Sequence, residues 1–334
     1  MSFLGPPPVK IDPTRIRFVK QWKHPAALIG CRIDPTGRFA FAGAQDNAVV
    51  RWELATGKKA VLAGHKSWVR ALAFADGGRL LFSADWAGRI IAWPTESDAP
   101  AARWDIAGHR GWVRALAVSP DGKTLASCGN DHLVKLWSLD GKPLRTLAGH
   151  DSHVYNVAYH PDGKSLVSAD LMGNVKAWDL ARGDASREMD AKILHKYDAG
   201  FGADIGGVRS MAFDADGEHL ACAGITNVSN AFAGVGNPLV VVFDWATGKQ
   251  KVQLKPKTPF QGTAWGVSFL PGGWVLGIGG GNGGVFWAWK LDQPLAAHTF
   301  ALPNNARDLA MAPDGRRLAI PFDNGMLRVY DMGR

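Results

Sequence analysis

Cysteine is scarce in this chain, long apolar runs are missing, and no stretch carries a sustained helical period. The three cysteines, Cys31, Cys128 and Cys222, are too few for a disulfide framework and lack metal-ligand spacing. We expect no metal, and a reducing, cytoplasmic setting. No run of about 20 apolar residues exists, so a membrane span is not expected. Met1–Pro8 has neither a charged n-region nor a long apolar h-region, and reads as neither a secretory signal nor a transit peptide. Charge is also modest. Charged residues are 20% of the 334, and 38 basic against 30 acidic residues leave +8. That permits an anionic partner without demanding one.

The apolar fraction, 46%, is that of a folded chain. Yet single hydrophobic cores stop growing near 250–300 residues, so the organisation has to be modular. The modules are visible as repeats. Gly64-His-Lys-Ser-Trp-Val-Arg-Ala-Leu-Ala-Phe74 aligns without gaps on Gly108-His-Arg-Gly-Trp-Val-Arg-Ala-Leu-Ala-Val118 and on Gly149-His-Asp-Ser-His-Val-Tyr-Asn-Val-Ala-Tyr159. A turn follows each, at Asp76–Gly78, Pro120–Gly122 and Pro161–Gly163. It recurs at Pro35–Gly37, Ala215–Gly217, Pro271–Gly273 and Pro313–Gly315. Each of the seven units then ends a run on an aromatic residue: Trp52, Trp93, Trp137, Trp178, Phe243, Trp289 and Tyr330. The spacings are 41, 44, 41, 65, 46 and 41. The long fifth unit has about 13 extra residues before it, near Ala181–Gly206, and about 11 within it.

Short alternating runs of Val, Ile, Leu, Phe and Trp between Asp-Gly and Thr-Gly turns are strands in hairpins. Four strands per unit, seven times over, predict an all-β, seven-bladed β-propeller of four-stranded antiparallel blades. The chain ends after the third strand of unit seven, while Arg15–Gln21 precedes unit one as an extra strand-like run. We expect that N-terminal strand to complete the last blade and close the ring. Residues 1–13 form an arm, and 14–334 a single propeller domain.

The pattern resembles the WD-repeat family over residues 14 to 334. Repeat length, Gly-His start and Trp-Asp-type end all match, although a strict Trp-Asp occurs only at Trp178-Asp179. The third unit carries the family's full structural tetrad, His109, Ser127, Asp131 and Trp137. By that ruler unit one has His24, Asp46 and Trp52, with Ala42 at the Ser position. Unit two has His65, Ser83 and Trp93, and unit four has His150, Ser168 and Trp178. Ala87 and Met172 stand where their aspartates belong, so incomplete tetrads are expected there.

Catalytic motifs are missing. Gly279-x-Gly281-x-x-Gly284 matches a dinucleotide fingerprint by letter, but it sits between two strands and would offer a phosphate no helix N-terminus. We read it as a flexible or bulged connection and expect no cofactor. His24, His65, His109 and His150 fall at structural repeat positions, and His153, His195, His219 and His298 share no ligand spacing. The chain is read as a non-enzyme. A propeller enzyme at the channel mouth ranks lowest, because it needs carboxylates or histidines converging there.

The resemblance implies that residues three and five after the repeat His face one side of the ring. Position five reads Ile29, Arg70, Arg114, Tyr155, Arg209, Trp265 and Arg307. Position three reads Ala27, Trp68, Trp112, His153, Gly207, Thr263 and Asn305. The residue before the tetrad Asp reads Gln45, Trp86, Asn130, Leu171, Asn282 and Asp323, with unit five unalignable. Four arginines would ring the mouth, and Trp68, Trp86, Trp112, His153, Tyr155 and Leu171 would gather over units two to four. Such a residue can instead be structural, a Trp packed on the next blade or an Arg paired with Asp85, Asp170, Asp308 or Asp323. Together they suit a binding surface, since Trp, Tyr and Arg concentrate at hot spots and Arg grips carboxylates by bidentate bonds. The insertion Ile225–Pro238 should overhang this face as a Gly/Asn-rich loop, either functional, with Phe232 as a movable apolar contact, or disordered. The leading expectation is a protein-interaction scaffold for an acidic peptide or protein segment, acting as a monomer or within a hetero-complex. Nucleic-acid binding through the basic surface is the second reading, weakened because the lysines are dispersed among turns rather than gathered in a stripe.

Overall fold

The structure is a computed structural model describing residues 11–230 and 235–333. It contains seven four-stranded antiparallel sheets arranged as the blades of a propeller. From the channel outwards, blade one is Leu28–Ile33, Phe39–Ala44, Val49–Glu53 and Lys59–Leu62. Blade two is Val69–Ala75, Leu80–Asp85, Arg89–Pro94 and Trp104–Ala107. Blade three is Val113–Val118, Thr124–Gly129, Val134–Ser138 and Pro143–Leu147. Blade four is Val154–Tyr159, Ser165–Asp170, Asn174–Asp179 and Ala185–Asp190. Blade five is Ser210–Phe213, His219–Asn230, Val235–Asp244 and Gln250–Leu254. Blade six is Gly262–Leu270, Trp274–Gly281, Gly283–Lys290 and His298–Leu302. Blade seven has Ala310–Met311, Arg317–Pro321 and Met326–Asp331, and takes its outermost strand, Arg17–Lys23, from the other end of the chain.

That last strand closes the ring. It runs antiparallel to Met326–Asp331 in the register Arg17↔Asp331 to Lys23↔Met326. Further out, Ile11 bridges Gly333 and the Asp12 amide donates to the Met332 carbonyl. Closure pairs an edge that would otherwise stay open.

The modular core follows from strand position. Second strands are covered on both faces: every residue of Phe39–Ala44 and of Leu80–Asp85 is buried. Outer strands such as Pro143–Leu147 are mostly exposed. The buried side chains form seven clusters among the described residues, each between two neighbouring blades. Phe41, Val49 and Leu62 of blade one meet Leu72, Leu81 and Trp93 of blade two. The ring closes through Leu28, Val50 and Trp52 against Ala319, Leu327 and Val329. No cluster has to grow beyond one interface, which is how the chain exceeds the size of a single core.

Two expectations about connections are corrected. Gly279–Gly284 is a regular hairpin, with Gly279↔Val285, Gly280↔Gly284 and Gly281↔Gly283 in register. Its glycines make room: a Cβ on Gly279 would sit 2.5 Å from the Trp287 ring. The insertion Ile225–Pro238 is not a loop over its described length. It continues the two middle strands of blade five as an arm, pairing Ile225↔Pro238, Thr226↔Asn237 and Asn230↔Val235. Phe232 lies outside the described residues. The extra segment before blade five folds as a second hairpin, His195–Asp198 against Ala203–Gly206.

Candidate functional site at the channel mouth

The inner strands share one irregularity. In blades one, two, three, four and six the pairing with the second strand slips by one residue. The slips fall between Leu28 and Gly30, Val69 and Ala71, Val113 and Ala115, Val154 and Asn156, and Ala264 and Gly266. The skipped residues are Ile29, Arg70, Arg114, Tyr155 and Trp265. A β-bulge re-aims the side chain of its extra residue. Here it turns one side chain per blade onto the channel mouth. Arg209 and Arg307 take the equivalent place at the entry to blades five and seven, where their amides donate to the carbonyls of Ala223 and Pro321.

These seven residues line one cavity of about 280 Å³, together with Gln45, Trp68, Trp86 and Trp112. Its wall alternates cations and rings. Arg114 lies 4.2 Å from the Trp112 ring and 4.3 Å from the Tyr155 ring. Arg209 lies 4.8 Å from Tyr155 and 5.4 Å from Trp265. Arg307 and Arg70 approach the same Trp265 ring at 5.3 and 5.8 Å. On the rim Trp86 stacks on Trp112, with centroids 3.7 Å apart and planes 8° apart, and Trp68 leans on Trp86 at 4.6 Å. Trp68 is 37% exposed, the outward end of this stack.

Cation–π contacts place the guanidiniums without neutralising them. Arg114 Nε donates to Asn130 Oδ1 at 2.8 Å, which leaves its fork free. Arg70 makes one long bond, 3.4 Å, to the Ile29 carbonyl. The buried Nε of Arg209 has no hydrogen-bond partner among the described residues. Among the described residues, Arg307 alone of the four has a carboxylate, Asp323 at 3.5 Å. Asp308 pairs with Arg32 at 2.9 Å instead. Burial is the main cause that pushes the Arg114 pKa down to about 10, with Arg209 and Arg70 adding repulsion. Burial likewise lowers Arg70, against the pull of Asp308, and Arg209, Arg307 and Arg32 lower it further.

Two of the candidate contact residues, His153 and Leu171, lie outside the cavity lining. His153 is half-buried beside His132, with ring centroids 5.4 Å apart, and its pKa is lowered by burial, then by Arg114 and His132. Leu171 is buried, 9% exposed, under Gly207, where a Cβ would come within 2.8 Å of the Leu171 Cα. Asp85 and Asp170 do not pair with channel arginines either. They complete tetrads, which corrects the expectation of incomplete ones. His65 Nδ1 meets Asp85 Oδ2 at 2.9 Å, and His150 Nδ1 meets Asp170 Oδ2 at 2.9 Å. In blade three the partner is Asp131, at 2.7 Å. In all three, the Trp Nε1 donates to the Ser Oγ at 2.8 Å (Trp93 to Ser83, Trp137 to Ser127, Trp178 to Ser168). Blade one lacks the serine, and its His24 presents Nε2 to Asp46 at 2.7 Å while Lys59 Nζ approaches Nδ1 at 3.0 Å.

A second cavity, about 310 Å³, lies beside the blade-five arm among Asn237, Pro238, Gln253, Lys255, Lys257 and Phe260. No repeat position marks these residues, so sequence periodicity gave no signal for it.

Fold and site together define a seven-bladed propeller with a built pocket at one mouth of its channel. The family model described as WD domain, G-beta repeat matches residues 57–93, 103–138 and 141–179, which lie in blades one to four. Three WD-type repeats together with seven blades in a closed ring support a WD-repeat propeller. Propellers of this family generally serve as protein-interaction scaffolds and are typically non-enzymatic. No curated protein matches the chain. Among the described residues no helix is long and apolar enough to cross a membrane.

Proposed function

We propose that this protein is a non-enzymatic interaction scaffold whose channel mouth docks an acidic peptide or protein segment. One observation carries the reading: Arg70, Arg114 and Arg209 converge on one pocket, and among the described residues no carboxylate binds any of them. Buried like charges repel, and an incoming anion relieves that cost. The Trp68–Trp86–Trp112 stack supplies rigid apolar contact area beside the charge, the combination found at binding hot spots. The lining contains no Asp, Glu or His, which suits binding better than proton transfer. We place the protein in the cytoplasm, where its three buried free thiols match a reducing setting.

The test is a pull-down comparing wild type with a Trp68→Ala/Arg114→Ala double variant, after matched melting curves. Loss of acidic partners from the variant alone supports the reading. An identical catch from both proteins sinks it. Capture of nucleic acid that fades steeply with salt would instead favour the basic-surface reading.

A further inference from the structure

Resting on the acidic-segment reading, we infer that the group seated at the bottom of the pocket is a phosphate monoester on a peptide side chain, rather than a carboxylate. The argument is one of charge and convergence. Arg114 and Arg209 approach the same Tyr155 ring, so their guanidinium carbons lie no farther apart than the sum of 4.3 and 4.8 Å. Arg209, Arg70 and Arg307 share the Trp265 ring in the same way. All four arginines line the one cavity of about 280 Å³, and among the described residues the carboxylate bound there, Asp323, pairs with Arg307.

A glutamate or aspartate brings one negative charge and two coplanar oxygens, enough for a single fork. A phosphate monoester brings about −1.5 to −2 charge and three acceptor oxygens pointing in different directions. Forks arriving from different blades can each take a separate edge of such a tetrahedron. Arg114 is pre-oriented, because Asn130 occupies its Nε and turns the free nitrogens away from that bond. Arg209 has its Nε buried and unpartnered. Size agrees as well: about 280 Å³ is room enough for a phosphorylated side chain. Nucleic acid fits less well. Its phosphodiesters carry one charge each and are strung along a backbone, which calls for a stripe of cations, whereas these four line one cavity.

The experiment is calorimetric titration of the full chain with three capped pentapeptides, Ala-Ala-X-Ala-Ala, where X is phosphoserine, glutamate or serine, and with a short oligo-dT. The expected result is that the phosphoserine peptide binds about tenfold or more tighter than the glutamate peptide. Serine should give no measurable binding. Arg114→Ala and Arg209→Ala should each weaken the phosphoserine peptide about tenfold, with Lys at either position failing to restore it because the fork is lost. Melting curves of the variants verify folding, and Lys142→Ala, exposed and outside the cavity lining, serves as a surface control. Equal affinity for the glutamate and phosphoserine peptides overturns this inference and leaves the acidic-segment reading standing. Binding of neither peptide overturns both. Tighter binding of oligo-dT than of any peptide overturns both in favour of nucleic acid.

Discussion

His109 shows how one side chain can carry a chain of donors. Its Nδ1 donates to Asp131, its Nε2 accepts from the Ser127 hydroxyl, and that oxygen accepts from Trp137. A neutral imidazole satisfies every link in this order. Burial lowers the His109 pKa below the ordinary histidine range, although Asp131 pulls the other way. Burial alone would raise Asp131, but its bonds from His109 and the Arg110 amide hold it below the carboxylate range. Asp85 and Asp170 are lowered by the same balance. The unfolded chain therefore takes up protons before the folded one at both groups. Stability should be full above about pH 6.5, decline as pH falls through the lowered His109 pKa, and drop again below about pH 4 as the aspartates protonate. Urea unfolding from pH 8 to pH 3 checks this, and a flat profile to pH 4.5 would contradict the His109 assignment. Replacing Asp85 or Asp170 with Ala strands a buried imidazole and should cost about 2–4 kcal/mol in the same assay. Sequence spacing did not show these roles. Asp85 and Asp170 sit 20 residues after their histidines, whereas Asp131 sits 22 after His109, and only the fold shows that a carboxylate at the strand end reaches the same nitrogen.

At the scale of the element, the inner-strand bulge and the closing strand matter most. The bulge brings backbones of adjacent blades so close that side chains are forbidden. A Cβ on Gly30 would lie 2.1 Å from the Arg70 carbonyl oxygen, and one on Gly43 would lie 2.2 Å from that of Val69. Gly30→Ala should therefore destabilise by about 2–3 kcal/mol, well beyond a propensity effect, and should disturb Arg70 at the pocket. Thermal melting and peptide titration of the same variant would show both. The closing strand was legible because the last unit lacks one run and the first has one to spare. Removing residues 1–23 should lower Tm by about 5 °C or more and raise aggregation, since Met326–Asp331 becomes an open edge. An unchanged Tm would mean that the ring is held elsewhere. The blade-five arm was not legible as strand. Asn and Gly marked it as a loop, yet pairing across Ile225↔Pro238 and Thr226↔Asn237 extends the ladder already begun by Val240–Val242. Propagation of an existing hairpin overrides local turn propensity.

For the whole molecule, the decisive quantity is where its +8 is placed. Lysines are scattered over the turns, whereas the four mouth arginines share one partly desolvated pocket. Affinity for an acidic peptide should fall several-fold between about 50 and 500 mM salt, less steeply than for a nucleic-acid binder, because buried pairs are screened less. Titration at the two salt concentrations measures it. The number of blades and the strand order were legible in the sequence alone, because strand alternation and a repeat of about 41 residues are local and periodic. Nine of the eleven candidate contact residues line the cavity, alongside Ile29 and Gln45, whereas His153 and Leu171 do not. Only the tertiary structure decided that Leu171 is buried while Trp86 lines the cavity, that Asp85 and Asp170 serve histidines rather than arginines, and that, among the described residues, three arginines stay without a carboxylate. Those outcomes depend on which blade packs beside which, and on distances between groups far apart in the chain. A repeat can announce that a side chain faces the channel, but its partner comes from another blade, and only the closed ring brings the two together.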